Sequence, residues 1–136
     1  MEAALFADAE ALICSYLRGA LVPYVGAIHV STDVPNPRPD DEGFIRVIRT
    51  GGPQMNIVAD GPQLTLEAWC YSAERAAEIM AYARALLHAL EGSYFNNVAF
   101  YRLTEFTGPQ NTADPDSSVC RYTWTFRIGV RGIPLA

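Results

Sequence analysis

Two histidines and six loop carboxylates are the side chains of this sequence that could perform acid–base or metal chemistry. His29 falls near the end of a predicted strand and His88 on a predicted helix, and neither has an Asp, Glu or Cys at metal-ligand spacing. A lone histidine without such a neighbour is more often structural or solvated than catalytic. The histidines therefore predict neither a metal centre nor a catalytic pair.

The loop carboxylates fall in two segments rich in proline and serine. Two carboxyl groups that act as acid and base must be held on rigid elements at a defined separation. The run Asp114-Pro115-Asp116 could approach a hard cation, but a calcium loop supplies more ligands at fixed spacing. We therefore expect the carboxylates to be solvated; they are Asp33, Asp40, Asp41, Glu42, Asp114 and Asp116.

Other signals of catalysis are missing from the sequence. It contains no GxGxxG, GxxxxGK[ST], HExxH or GxSxG motif. Cys14, Cys70 and Cys120 are widely spaced and form no CxxC pair. Cys70 and Cys120 occupy apolar positions of predicted strands, where we expect small buried hydrophobes. The sequence thus predicts a protein that is not an enzyme and holds no cofactor or metal.

Composition narrows the remaining classes of protein. The 136 residues carry a net charge of −5 and half of them are hydrophobic, which is typical of one globular domain over residues 1–136. Nucleic-acid recognition needs a basic footprint, which this chain lacks. No apolar run approaches the roughly 20 residues of a membrane span. The acidic N-terminus is unlike a signal peptide, so we expect a cytosolic protein without membrane contact.

The spacing of apolar residues predicts two helices and five strands. Stripes at i, i+3, i+4 and i+7 predict helices over residues 4–21 and 73–90; Pro23 would stop the first, and Ser72 and Gly92 would cap the second. Strands are predicted at 26–30, 44–50, 64–71, 97–106 and 120–131. The order α-β-β-β-α-β-β predicts an α+β sandwich, a mainly antiparallel sheet of about five strands with both helices on one face.

Two long loops interrupt this pattern. Residues 31–43 contain three alternating prolines, which predict a stiff and exposed segment. Residues 107–118 contain no large apolar side chain, so we expect them to be mobile. The second loop leads into the longest predicted strand, in which alternation places Trp124 and Phe126 in the core.

The opposite face of two predicted strands carries residue types that are common at protein interfaces. Glu67, Trp69 and Tyr71 share the face away from the core, and Arg121 and Arg127 share that face on the last strand. Aromatic residues and arginine are enriched at interfaces, and an exposed sheet face with two large aromatics is a liability in a monomer. The pattern favours a contact surface; the alternative is that a loop covers Trp69 and the arginines are solvated.

Nearly the whole chain also resembles a known family in its layout. The similarity is carried by FADAEALICSYL, then VPNPRPDDEGFIRVIRTGG, then QLTLEAWCYS leading into AERAAEIMAYARALL, and finally ADPDSSVCRYTWTFRIGVRG. These segments are similar to tail terminator proteins (the tail completion or minor tail protein U type) of long-tailed bacteriophages, especially phages that infect actinobacteria.

The resemblance implies a structural virion protein that forms a hexameric ring. Such a ring caps the tail tube, ends its polymerisation and offers a surface for head–tail joining, while DNA passes through the lumen without specific binding. The implied partners are further copies of the chain, the tail tube protein and a head–tail connector or stopper. The implied location is the head-proximal end of the virion tail, after assembly in the host cytoplasm.

The family provides no catalytic residues, so the candidate contact residues come from this sequence alone. They are the sheet-face residues Glu67, Trp69, Tyr71, Arg121 and Arg127, and the loop residues Arg38, Asp40, Asp41, Gln110, Asn111, Asp114 and Asp116. A head–tail connector or stopper of similar size is the alternative within the virion. A small ligand-binding or enzymatic α+β domain is the alternative from another class, and a compact apolar pocket with convergent polar groups would favour it.

Overall fold

A long strand close to the C-terminus holds together a large mixed sheet in the computed structural model, which describes residues 3–135. The helices are α1 (Ala9–Ala20), α2 (Val22–Val25) and α3 (Ala73–Leu90). The strands are β1 (Ala4–Leu5), β2 (His29–Ser31), β3 (Phe44–Gly51), β4 (Ala59–Asp60), β5 (Gln63–Cys70), β6 (Tyr94–Phe95), β7 (Val98–Glu105), β8 (Gln110–Asn111), β9 (Cys120–Arg131) and β10 (Ile133–Pro134).

The main sheet has eight strands in the order β2-β3-β5-β9-β7-β6, and β4 and β8 also pair with β9. Every pairing is antiparallel except that of β2 with β3. Strands β1 and β10 form a separate two-stranded ribbon. The α+β class and the mainly antiparallel sheet are therefore confirmed. The expected number of about five strands is too low, because two-residue strands leave no periodicity to detect.

The first helix begins later than the apolar stripe indicated. Asp8 is its N-cap, with Oδ1 accepting a hydrogen bond from the Ala11 N–H at 3.2 Å, and the preceding Ala4–Leu5 forms β1 instead. The expected start at residue 4 is therefore wrong. The helix ends near the expected position, but Pro23 does not exclude a further helix. It lies in the first turn of α2, where an N–H would be unpaired in any case.

The second long helix follows the sequence pattern closely. Ser72 is its N-cap as expected, and its Oγ accepts a hydrogen bond from the Arg75 N–H at 3.2 Å. The C-cap is Glu91 rather than Gly92, and Gly92 follows it with a φ of 72°. The helix therefore ends at Leu90 as expected, and Gly92 lies one residue beyond the cap, in a left-handed conformation that glycine adopts at little cost.

The main core lies between one face of the sheet and helices α1 and α3, as predicted. Trp124 and Phe126 point into it, fully buried, with ring centroids 4.3 Å apart. Its other members include Ile13 and Leu17 of α1 and Leu87 of α3, as well as Val25, Val47, Leu64, Leu66, Ile79, Met80, Phe100 and Ile128. A smaller cluster of Phe44, Trp69 and Val119 lies apart from this core.

Glutamate side chains hydrogen-bond to backbone groups at both sides of the sheet. Glu10 Oε2 accepts from the Arg49 N–H at 2.7 Å, on the part of β3 beyond the end of β2. Glu91 Oε1 accepts from the Leu103 N–H at 3.1 Å, on the part of β7 beyond β6. Each carboxylate therefore occupies a backbone donor that would otherwise be free to pair with another strand.

The three cysteines are all free thiols. Cys14 and Cys70 are buried, and burial raises the pKa of the Cys14 thiol to about 11. Cys120 is partly exposed, contrary to the expectation, because it is the first residue of β9 and lies at the end of the sheet. Within residues 3–135, no helix is both long enough and apolar enough to cross a lipid bilayer.

The packing of Trp124 generates the first prediction. Trp124→Ala should lower the free energy of unfolding by about 3–5 kcal/mol, because it leaves a large cavity in the main core. Trp124→Phe should cost much less, since it keeps an aromatic ring and removes an Nε1 donor that has no partner among the described residues. Urea denaturation measures both values. Tyr94→Ala, at a side chain 74% exposed, is the control and should change stability little; a loss equal to that of Trp124→Ala would contradict the core assignment.

Candidate functional site

One end of the sheet brings two long loops to a single aromatic side chain. The register pairs Phe44 of β3 with Trp69 of β5, and Trp69 with Arg121 of β9. Directly paired residues share a sheet face, so these three side chains form a row on the face away from the helices. The loop over residues 32–43 leads into β3 here, and the loop over 112–119 leads into β9. The positions near Trp69 are therefore set by strand pairing.

Trp69 is enclosed by an aromatic ring and two guanidinium groups. Its ring stacks on Phe44 with centroids 5.5 Å apart and planes 13° apart. The guanidinium carbons of Arg38 and Arg121 lie 5.7 Å and 5.1 Å from the Trp69 ring centroid. We call Arg38, Phe44, Trp69 and Arg121 the Trp69 clamp. Each cation–π contact is worth about 0.5–2 kcal/mol, depending on how far it is shielded from water.

Arg38 connects the two loops through charge. Its Nε lies 3.4 Å from Asp40 Oδ2 in its own loop, and its Nη1 lies 3.7 Å from Asp114 Oδ2 in the other. Asp114 also accepts hydrogen bonds from the Ser117 hydroxyl at 2.6 Å and the Asp116 N–H at 3.2 Å. These two hydrogen bonds, together with the nearby arginines, hold the pKa of Asp114 below its usual value. The loops are thus joined by an ionised carboxylate.

A polar network continues along the same face of the sheet. Glu67 Oε1 accepts a hydrogen bond from Trp69 Nε1 at 3.3 Å and lies 3.5 Å from Arg46 Nη1, so this mostly buried carboxylate is paired on two sides. Arg121 Nε donates to the Thr112 carbonyl at 2.8 Å, which fixes the second loop against β9. The clamp therefore rests on satisfied polar groups and not only on stacking.

The structure corrects the expected exposure of this face. Trp69 is only 5% exposed, so the alternative in which a loop covers it is right, but Arg121 packs on the ring and is not simply solvated. Asp40 is also buried, 8% exposed, with Arg38 beside its Oδ2; its Oδ1 has no partner within residues 3–135. Tyr71 and Asp41 are exposed, as a contact surface requires.

The remaining candidate residues divide between the two loops and the far end of the sheet. Gln110 and Asn111 form β8 and pair with Thr123 and Tyr122 of β9, so the loop over residues 107–118 includes a strand that the sequence did not indicate. Asp116 is exposed beside Asp114. Arg127 lies away from the clamp, paired with Gln63, and its guanidinium fills the space above Gly61. The structure therefore gathers most of the candidates at one end but not Arg127.

A second polar cluster was missed by sequence reasoning. Arg84 and His88, one turn apart on α3, both meet Glu105 of β7: Arg84 Nη2 donates to Glu105 Oε2 at 2.7 Å, and His88 Nε2 lies 3.0 Å from Glu105 Oε1. The hydrogen bond from Arg84, supported by His88, lowers the pKa of Glu105 to about 2. No spacing rule could have found this cluster, because it depends on how α3 lies across β7.

This cluster borders an open cleft of about 520 Å³. The other lining residues are small or apolar: Ala77, Met80, Ala81, Ala85, Pro109 and Tyr122. A general base works best with a pKa near the working pH, and Glu105 is held ionised far below it. Arg84, His88 and Glu105, the charged or titratable groups at the cleft's polar border, are paired with one another. Among residues 3–135, no group of three or more His, Cys, Asp or Glu side chains could hold a metal ion.

Comparison with known proteins gives a match among solved structures. No protein-family model and no curated protein matches the chain significantly. Among solved structures, a chain from a structure titled "Virion of native gene transfer agent (GTA) particle" is similar, with a TM-score of 0.63 and 14% sequence identity. The match covers 91% of this chain and 95% of that chain. At this identity the likeness shows a shared fold.

The clamp generates a prediction about loop order. Arg38→Ala should speed hydrogen exchange in both long loops, because it removes a cation–π contact, the ion pair with Asp40 in its own loop and the ion pair with Asp114 that joins the two loops. We expect a loss of about 1 kcal/mol, or roughly fivefold in exchange rate. Arg38→Lys should keep part of the wild-type protection from exchange, since it retains the charge but not the planar stacking. Arg131→Ala, at the opposite end of β9, is the control; unchanged exchange in the two loops of the Arg38→Ala variant would contradict the clamp.

The Glu105 cluster generates a prediction about pH. Because the folded-state pKa of Glu105 is lowered to about 2, its contribution to stability is present above the unfolded pKa, near 4.5. That contribution is lost as pH falls from about 4.5 towards 2. Glu105→Gln should therefore be less stable than wild type at neutral pH, and the difference should shrink across this window. Thermal melts from pH 2 to pH 7 measure it; a difference independent of pH would contradict the assignment.

Proposed function

We propose that this chain is a structural protein of a phage-like virion, which forms a ring that caps the tail tube. Such a ring would end tail polymerisation and provide the surface for head–tail joining. The observation that carries the proposal is the shared fold with a chain of a gene transfer agent virion, over nearly the full length of both. The resemblance of the sequence to tail terminators supports the finer assignment to the tail end.

The chemistry of the site supports a contact role over a catalytic one. Among the described residues, six carboxylates lie within 4 Å of an arginine: Asp40 and Asp114 beside Arg38, Glu67 beside Arg46, Asp60 beside Arg49, Glu78 beside Arg75, and Glu105 beside Arg84. Groups held in this way stabilise a surface but are poorly suited to exchange protons with a substrate. We therefore propose that the protein is not an enzyme and that its active surfaces are contacts with other proteins.

The two long loops suit such a contact because they are attached to the sheet on one side and exposed on the other. The Trp69 clamp holds them to the sheet, while Tyr71 and Asp41 remain open to a partner. A surface ordered before binding loses little conformational entropy when it binds. Under the proposal, this end contacts either a neighbouring subunit or an adjoining virion protein, and six copies per ring is the number implied by the family resemblance.

Loss of the gene tests the function directly. A tube grows while a free end accepts another subunit, as in any open heterologous polymer, so an uncapped tube should continue to grow. A phage that lacks this gene should therefore produce heads together with separate, abnormally long tails. Electron micrographs of the lysate give the distribution of tail lengths, and a complemented lysate is the control.

The same experiment separates this function from that of a head–tail connector or stopper. Loss of a connector should leave tails of normal length that fail to join heads, and this result would refute the terminator assignment while keeping a virion role. Cryo-electron microscopy of intact particles gives a second measurement. A closed ring at the head-proximal tail end is expected, and density repeated along the whole tube would overturn the proposal.

A further inference from the structure

The arginines of this chain that have no carboxylate nearby among the described residues are concentrated on β7 and β9. All ten cationic side chains are arginine. Five of them lie within 4 Å of a carboxylate: Arg38, Arg46, Arg49, Arg75 and Arg84. The other five have no such carboxylate among the described residues: Arg18, Arg121, Arg102 of β7, and Arg127 and Arg131 of β9, of which Arg131 Nη1 donates to the Tyr101 hydroxyl at 3.1 Å. Arg102, Arg127 and Arg131 lie on neighbouring stretches of the two strands, since β7 pairs with Val130, Ile128 and Arg127.

Exposed apolar side chains surround the same end of the sheet. Arg131 lines a cleft of about 300 Å³ together with Ile57, Val58 and Leu135. Ile133 and Leu5, which pair across the β1–β10 ribbon, are 62% and 60% exposed. We call this region, comprising Arg102, Arg127, Arg131 and the apolar residues Leu5, Ile57, Val58, Ile133 and Leu135, the arginine end. An exposed apolar patch rimmed by polar groups is typical of a protein interaction site.

The opposite end of β9 carries the complementary charge. Its twelve residues span roughly 35–40 Å at the rise of an extended strand, so Cys120 and Arg131 mark distant ends of the molecule. Asp41, Glu42 and Asp116 are exposed near the Cys120 end and have no ion-pair partner within residues 3–135. Tyr71 is 53% exposed, and the hydrogen bond from its N–H to the Asp40 carbonyl places it next to this loop. We call these four residues the acidic end.

We infer that the arginine end of one copy docks the acidic end of a second copy. This inference rests on the proposed ring, because it names the contact between its subunits. Pairing two arginine ends would bring Arg131 of one copy towards the same positive surface of the other, and like charges at an interface are unfavourable. Pairing opposite ends places the three arginines of the arginine end against Asp41, Glu42 and Asp116, and it gives the apolar residues an aromatic partner in Tyr71.

A contact between unlike surfaces is heterologous, so each copy keeps one free surface of each kind until the assembly closes. Closure gives a ring if the rotation between copies allows it, and an open filament if it does not. Since exposed charges contribute strongly, the association should weaken as salt shortens the Debye length from about 10 Å at 0.1 M to about 3 Å at 1 M. The inference therefore predicts both the pairing rule and its salt dependence.

Charge reversal tests the contact. Arg131→Glu and Asp41→Arg should each weaken self-association of the purified protein about tenfold or more, measured by sedimentation velocity at low and high salt. An equimolar mixture of the two variants should recover it. If the two variants alternate, the substituted surface of Arg131→Glu faces the substituted surface of Asp41→Arg, which restores opposite charges with their signs exchanged. Every other contact pairs the unchanged Arg131 of one variant with the unchanged Asp41 of the other. Arg18→Glu and Asp33→Arg change the net charge equally at other exposed sites and serve as controls.

The outcomes separate this inference from the proposed function. Equal weakening by the control substitutions, or a mixture that fails to recover association, would overturn the contact. A wild-type protein that stays monomeric at low salt would also overturn it, since attraction between free copies is what the inference states. If one of these results occurs but deletion of the gene gives abnormally long tails, the contact is wrong and the terminator function stands. If deletion gives tails of normal length but the mixed variants recover association, the terminator function is wrong and the contact stands.

Discussion

Strand β9 is hydrogen-bonded to four other strands, and the rest of the molecule depends on this pairing. It pairs with β5 over Cys120 to Arg127, with β7 over much of its second half, and with β4 and β8 at its two ends. Its alternating residues contribute Trp124 and Phe126 to the main core on one face and Arg121 to the Trp69 clamp on the other. A shift of one residue in its register would exchange these two faces. Core packing and the surface site are thus fixed by one register.

The sequence predicted the elements whose periodicity is long. Helix α3, with its N-cap at Ser72, and strand β9 have eighteen and twelve residues, and each shows several repeats of its own period. The two-residue strands could not be predicted this way, since they exist only because a neighbouring strand offers hydrogen-bonding groups. The start of α1 shows the same limit: the Ala4–Leu5 segment fits the helical stripe, but pairing with β10 overrides that preference.

The sequence correctly predicted which types of residue form the site, but its prediction that Trp69 is exposed was wrong. Alternation correctly placed Trp69 and Arg121 on one face, but it carries no information about which loop lies above that face. Arg38 and Asp114, 76 positions apart in the chain, meet only because two separate loops reach the same end of the sheet. The Arg84–Glu105 pair was invisible for the same reason. Contacts between distant segments depend on tertiary geometry, which a single sequence does not display.

The glutamates at the sides of the sheet have a consequence for how copies of this chain can combine. Because Glu10 and Glu91 occupy backbone donors on β3 and β7, another strand cannot take those positions without displacing a carboxylate. A strand of another molecule is therefore disfavoured at these two positions, so a contact made there depends on side chains, whose shape and charge define one orientation. Such a contact can separate again without breaking a shared sheet.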